Sequence, residues 1–160
     1  KEDDLGSLEN KFVELSKKSL LNFLIKFEKG ELKETPQENS KATFAPKINS
    51  DFQKIDWNCA SNEIDQKIRS LNPKYGAFTF LGNKRVKIYK SSPTENTSKL
   101  GPGKIGISED GKLLVGCSKE TAIKIDTVQM EGKSAVRSEE FVRGYRSLIE
   151  QEDKFCSNVQ

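Results

Sequence analysis

Leu8, Phe12, Leu15, Leu20, Leu24 and Phe27 recur at three- to five-residue steps with Lys11, Lys17, Lys18 and Lys26 between them, the spacing of an amphipathic helix over residues 7–27. Ser7 is placed to act as its N-cap, and Gly30 stops the pattern. Residues 31–40 lack an apolar repeat and contain Pro36 and Asn39, so they read as linker. Ile64, Ile68 and Leu71 fall at i, i+4 and i+7 of a short second helix that Asn72 and Pro73 end, because the residue before a proline is pushed out of helical geometry. The period then changes to two. Residues 77–81 and 85–90 flank Gly82-Asn83 as one hairpin, and residues 104–108 and 112–118 flank Glu109-Asp110-Gly111 as a second. Residues 91–103 form a loop rich in Ser, Thr, Pro and Gly, and residues 121–130 a fifth strand. A last helix over 138–149 shows Phe141, Tyr145, Leu148 and Ile149 on one face, and residues 151–160 read as a polar, frayed tail. The expected fold is mainly β with flanking helices: a five-stranded Greek-key barrel of the OB type, plus a separate N-terminal helix.

Composition narrows this picture. At 160 residues and 34% hydrophobic, with mean hydropathy −0.68, there is apolar material for one barrel-sized core and an appendage. The histidine count is zero, which excludes a Ser–His or Cys–His nucleophile pair, a His-liganded catalytic zinc and a His general base within these residues. Cys59, Cys117 and Cys156 lie far apart with no C-x-x-C pair, so neither a zinc cluster nor a disulfide framework is expected, and a reducing, cytoplasmic setting is. No run approaches 18 apolar residues, and the acidic start is unlike a leader, so no membrane or export signal is expected. A start at Lys1, without Met and directly ahead of a helical pattern, suggests a piece of something longer.

The net charge of +3 hides an uneven distribution. Residues 1–40 carry 7 Lys and Arg against 9 Asp and Glu, whereas residues 41–90 carry 10 against 4. Lys41, Lys47, Lys54, Lys67, Arg69, Lys74, Lys84, Arg85, Lys87 and Lys90 make the basic stretch, with Trp57, Tyr75, Phe78, Phe80 and Tyr89 interleaved. Cations and rings in that mixture suit a surface that tracks a nucleic-acid backbone; evenly spaced lysines also suit ordinary solvated surface. Lys84, Arg85 and Lys87 beside the hairpin turn are its most concentrated part, with Arg85 and Lys87 on one strand face. Phe78 and Phe80 share a strand face that reads as core. Trp57 reads as an anchor of the linker on the barrel, and Cys117 as a small buried residue. Gly101-Pro102-Gly103-Lys104 precedes a strand and lacks phosphate-loop spacing, so it reads as a turn; Glu139-Glu140 complement a helix dipole.

Lys41-Ala-Thr-Phe-Ala-Pro-Lys-Ile48, Ile55-Asp56-Trp57, Glu63-Ile-x-x-x-Ile-Arg69 with Asn72-Pro73, Gly76-Ala77, Pro102-Gly103 and Gly132-Lys133 resemble, in order and spacing, the C-terminal part of the methionyl-tRNA formyltransferases. Leu8-x-x-Lys11-Phe12-x-x-Leu15 and Leu20-Leu21 look like the closing helix of that family's catalytic domain. The resemblance implies residues 1–29 as that helix, 30–57 as linker, 58–150 as the OB-like domain and 151–160 as tail. In the family an N-terminal domain binds 10-formyltetrahydrofolate and formylates methionyl-tRNA with an Asn, His and Asp set. None of it is present, so the resemblance implies no catalytic residue, cofactor or metal here, no activity in isolation, and a tRNA-holding role for barrel and linker. Charge and position then nominate Lys41 and Lys47 on the linker, Lys67, Arg69 and Lys74 around the second helix, and Lys84, Arg85, Lys87 and Lys90 on the hairpin. The family commonly reads Trp-Pro where Lys74-Tyr75 stand, and Ala60 replaces a frequent Ser cap, a loss of about 1 kcal/mol unless Ser61 or Asn58 substitutes. The same barrel occurs in 10-formyltetrahydrofolate dehydrogenase and a sugar-nucleotide formyltransferase, and a stand-alone OB-type interaction module is the rival from another class. The partner implied is initiator methionyl-tRNA, in bacterial cytoplasm or an organelle matrix. Without a catalytic domain to cover it, the apolar face of residues 7–27 is expected to pair with a second copy or to move freely.

Overall fold

The computed structural model describes residues 2–158. Helix α1, Leu5–Glu28, begins ahead of Ser7 because Asp4, not Ser7, is the N-cap. The Asp4 carboxylate accepts from the Ser7 N–H at 2.8 Å and the Ser7 hydroxyl accepts from the Asp4 N–H at 3.1 Å, a reciprocal capping box. From Leu8 to Glu28 every residue is exposed. At about 100° per residue, Leu8, Phe12 and Leu15 lie on one side and Leu21, Leu24 and Ile25 on the opposite one. The apolar surface therefore winds around the helix, and the expected single stripe is absent. Pairing of two copies along residues 7–27 finds no support here, since one straight seam would leave one of these two sides in water.

Residues 31–52 are exposed and carry a 3-10 turn, Asn39–Lys41, and the short helix α2, Ser50–Gln53, before Ile55 and Trp57 turn into the core. Helix α3, Ser61–Leu71, buries the expected Ile64, Ile68 and Leu71. Its start lacks a side-chain cap from Ala60, and neither Ser61 nor Asn58 replaces it. Instead the Glu63 carboxylate accepts the Ala60 N–H at 3.1 Å and the Thr121 hydroxyl accepts the Ser61 N–H at 3.0 Å.

The sheet is antiparallel and curls into a half-barrel. Its strands are β1, Ala77–Leu81; β2, Lys84–Glu95; β3, Ile105–Ile107; β4, Leu113–Gly116; β5, Thr121–Met130; β6, Val136–Arg137; and β7, Phe155–Cys156. The order is β3-β4-β5-β2-β1-β7, with β6 on β5. The five expected strands form its body and two two-residue strands extend it. β2 runs on through Glu95, where a loop was expected, because β5 pairs with it as far as Thr121. Pro93 is tolerated there since β1 pairs only up to Ile88, leaving that edge of β2 without a ladder.

Two further corrections concern the C-terminal part. The expected single last helix is two, α4, Ser138–Gly144, and α5, Arg146–Glu152, parted at Tyr145, whose φ of −124° is not helical. The tail is not frayed over its described residues. Phe155 is 1% exposed and stacks on Trp57 with ring centroids 5.7 Å apart. Its N–H donates to the Gly103 carbonyl at 2.8 Å. A Cβ on Gly103, which sits at φ +78°, would meet the Phe155 carbonyl oxygen at 2.5 Å, so this turn needs glycine. Residues 101–104 form a turn, as expected, closed by the Lys104 N–H on the Gly101 carbonyl at 2.9 Å.

Candidate nucleic-acid interface

Strand alternation sends Val86 and Ile88 into the core and Arg85, Lys87 and Tyr89 to the outer face of the sheet. Register then decides their neighbours. Lys87 lies opposite Phe78 on β1 and Gln129 on β5, and Arg85 lies opposite Phe80. Phe78 and Phe80 are thus not part of the barrel's core cluster; they lie on its outer face. Phe78 is still only 3% exposed, because the Arg85 guanidinium covers its ring at 5.5 Å and Phe80 packs against it edge-on at 5.6 Å. Arg85 also reaches Glu131 at 3.4 Å, a partly exposed pair that holds orientation more than stability. The Lys87 ammonium donates to the Tyr75 carbonyl at 3.2 Å, and the Tyr89 hydroxyl donates to Gln129 Oε1 at 2.8 Å. Lys84 is exposed beside the Gly82-Asn83 turn.

The remaining expected cations divide by location. Lys74 adjoins this platform through Tyr75, its ammonium 5.8 Å from that ring and 3.8 Å from Glu9. Arg69 and Lys90 line a separate hollow of about 700 Å³ between the start of α1, α3 and β2. There Arg69 pairs with Asp65 at 2.8 Å and donates to the Asp3 carbonyl at 2.9 Å, so it works as a joint for α1. The same joint places the Asn72 amide on Asp4 Oδ2 at 2.6 Å. Lys67 is folded inward, donating to the Lys54 carbonyl and lying over the Phe52 ring at 5.5 Å; burial holds its ammonium below the usual lysine range. Lys41, paired with Glu38 at 2.6 Å, and Lys47 lie on the exposed segment before α2. The structure therefore brings together Lys84, Arg85 and Lys87, with Lys74 alongside, and separates the others.

Sequence reasoning missed two residues of this platform, Gln129 and Lys133. Gln129 Nε2 donates to the Lys133 carbonyl at 2.7 Å, which folds the turn after β5 against the outer face. The signal was register rather than composition: the pairing of Lys87 with Gln129 and of Val86 with Met130 places that turn beside the hairpin cations.

Burial pushes the Cys117 thiol up to about 12, which leaves it protonated and inert at neutral pH, and also raises Cys59. Among the described residues no group of metal-ligating side chains is assembled. A hollow of about 910 Å³ between the end of β2 and the turn before β5 is lined by Glu95, Lys99, Leu100, Pro102, Cys117 and Glu120. Trp57 is structural, as expected, its indole N–H donating to the Thr79 hydroxyl at 3.0 Å.

Residues 47–146 match the family described as formyl transferase, C-terminal domain. The chain belongs to this family. It is 32% identical over 154 residues to a protein named methionyl-tRNA formyltransferase from Enterococcus faecalis, covering 96% of this chain and 49% of that one. It is 34% identical over 148 residues to a protein of the same name from Halalkalibacterium halodurans, covering 92% and 47%. The chain thus spans about half the length of these relatives. Among solved structures, HypX from Aquifex aeolicus in complex with tetrahydrofolic acid superposes with TM-score 0.58 at 23% identity, over 82% of this chain and 22% of that one, a likeness of fold. Among the described residues no helix is long and apolar enough to cross a membrane. In this member of the formyltransferase C-terminal family, the half-barrel presents Arg85 and Lys87 on its outer face, with Lys84 exposed at the adjoining turn.

Proposed function

We propose that the chain is the tRNA-holding C-terminal part of a methionyl-tRNA formyltransferase working in the cytoplasm. Formyl transfer from 10-formyltetrahydrofolate to initiator methionyl-tRNA is assigned to a catalytic part outside these residues, and the chain alone is assigned no transferase activity. What supports the reading is the pairing of Arg85 and Lys87 on one sheet face, with Lys84 exposed at the adjoining turn, in a chain whose relatives carry that name. Cations on a rigid antiparallel face can meet successive phosphates without ordering a loop first, and the aromatic floor beneath them limits how far Arg85 can swing. Lys74 and, across the joint, Lys90 and Arg69 extend the contact; Lys41 and Lys47 add it from the exposed segment; Lys67 is assigned a lesser part because its ammonium is already engaged.

The test is the triple variant Lys84→Glu, Arg85→Glu, Lys87→Glu. It keeps the circular dichroism of the parent chain, since Lys84 and Arg85 are exposed and Lys87 lies outside the core, and loses most of its affinity for tRNA. The slope of log affinity against log salt falls by about 0.9 for each phosphate contact removed. A folded triple variant with unchanged affinity would remove these residues from the interface.

A further inference from the structure

The turn after β5 is built onto the platform by two uncharged side chains, and this deepens the tRNA-holding reading, on which it rests. The Lys133 carbonyl can only accept, so the amide group of Gln129 that faces it at 2.7 Å is Nε2. Oε1 then faces Tyr89, whose hydroxyl donates to it at 2.8 Å. The relay from Tyr89 on β2 to Gln129 on β5 to Lys133 therefore has one self-consistent polarity. The turn is closed by the Lys133 N–H on the Met130 carbonyl at 3.0 Å, with Gly132 at φ +74° in its third position, and Glu131 donates its N–H to the Arg85 carbonyl at 2.9 Å. Lys133 itself is exposed.

We propose that Lys133 is a further tRNA-phosphate contact, and that Gln129, oriented by Tyr89, is the positioning residue that holds it beside Arg85 and Lys87. The register supplies the geometry: Gln129 lies directly opposite Lys87, so a backbone carbonyl pinned to its amide sits at the rim of the same face. An ammonium on a long flexible stem gains from a fixed base, because less freedom is lost when it meets a phosphate.

The experiment titrates unmodified initiator tRNA with the chain and with Lys133→Ala, Gln129→Met, Tyr89→Phe and the Gln129→Met/Lys133→Ala double variant at several salt concentrations. Melting curves serve as the folding control. Lys133→Ala should lower the salt slope by about 0.9, and Lys133→Arg should restore it. Gln129→Met and Tyr89→Phe should weaken binding in the Lys133 background and have no further effect once Lys133 is alanine. Wild-type affinity and slope in a folded Lys133→Ala, alongside lost binding in the Lys84, Arg85, Lys87 triple variant, would overturn this inference and leave the tRNA-holding reading intact. An equal loss from Gln129→Met with and without Lys133 would overturn the positioning role. Absence of tRNA binding by the unaltered chain would instead overturn the parent reading.

Discussion

Thr79 is fully buried and stands at the centre of a short polar relay: its hydroxyl accepts the Trp57 indole N–H at 3.0 Å and donates to the Cys156 carbonyl at 2.9 Å. One side chain thus ties the entry of the barrel, the first strand and the last. Thr79→Val keeps the volume and deletes both bonds, leaving the Trp57 N–H buried without its acceptor. The expected loss is about 1–3 kcal/mol in urea unfolding with an unchanged slope; a change within a few tenths of a kcal/mol would show that the relay is not what holds the tail. The same scale explains where sequence reading reached its limit. Trp57 and Cys117 are legible as structural because a large ring and a small thiol in apolar settings have few other uses. Gln129 is not legible, because its partner Tyr89 is 40 residues away and only strand register joins them.

At the scale of elements, α1 is held at its start and exposed along its length. The Asp4 carboxyl is held below its ordinary 3.8, chiefly by the Ser7 N–H, which outweighs the opposing effect of burial, with a smaller lowering from the Asn72 amide. A carboxyl lowered in the folded state contributes stability that is present above the unfolded value and lost as pH falls through the folded one. The Ser7 amide resonance should therefore titrate with a midpoint below 3.8, and α1 should loosen from Asn72 only under stronger acid; a midpoint at or above 3.8 would contradict the capping box. Strands β1 and β5 were legible to the residue because they are rich in β-branched and aromatic residues and are followed by the turn residues Gly82-Asn83 and Glu131-Gly132. β2 was cut short in the sequence reading because Ser91 to Glu95 carry a proline and small polar residues, and their strand state comes from β5, ten residues long, rather than from local preference. The division of the last helix and the return of the tail were hidden for a similar reason: one phenylalanine in a polar segment gives no period, yet Phe155 finds Trp57.

On the scale of the whole molecule, a half-barrel holds two differently built basic regions, a rigid outer face on β1, β2 and β5 and an exposed segment before α2, while α1 projects from a joint of Asp3, Asp4, Arg69 and Asn72. The overall class of fold and the basic middle of the chain were legible from alternation and charge. Which cations lie near one another was not, because Lys67 and Arg69 differ from Lys84 and Lys87 only in what the folded chain places next to them. The account's central claim is that this face holds folded tRNA through its phosphates. The most direct measurement is binding of the chain to initiator tRNA, elongator tRNA and a single-stranded oligonucleotide at two salt concentrations. Comparable, salt-sensitive binding to both tRNAs with weaker binding to the single strand is the predicted result. No tRNA binding, or a preference for the single strand, would contradict it.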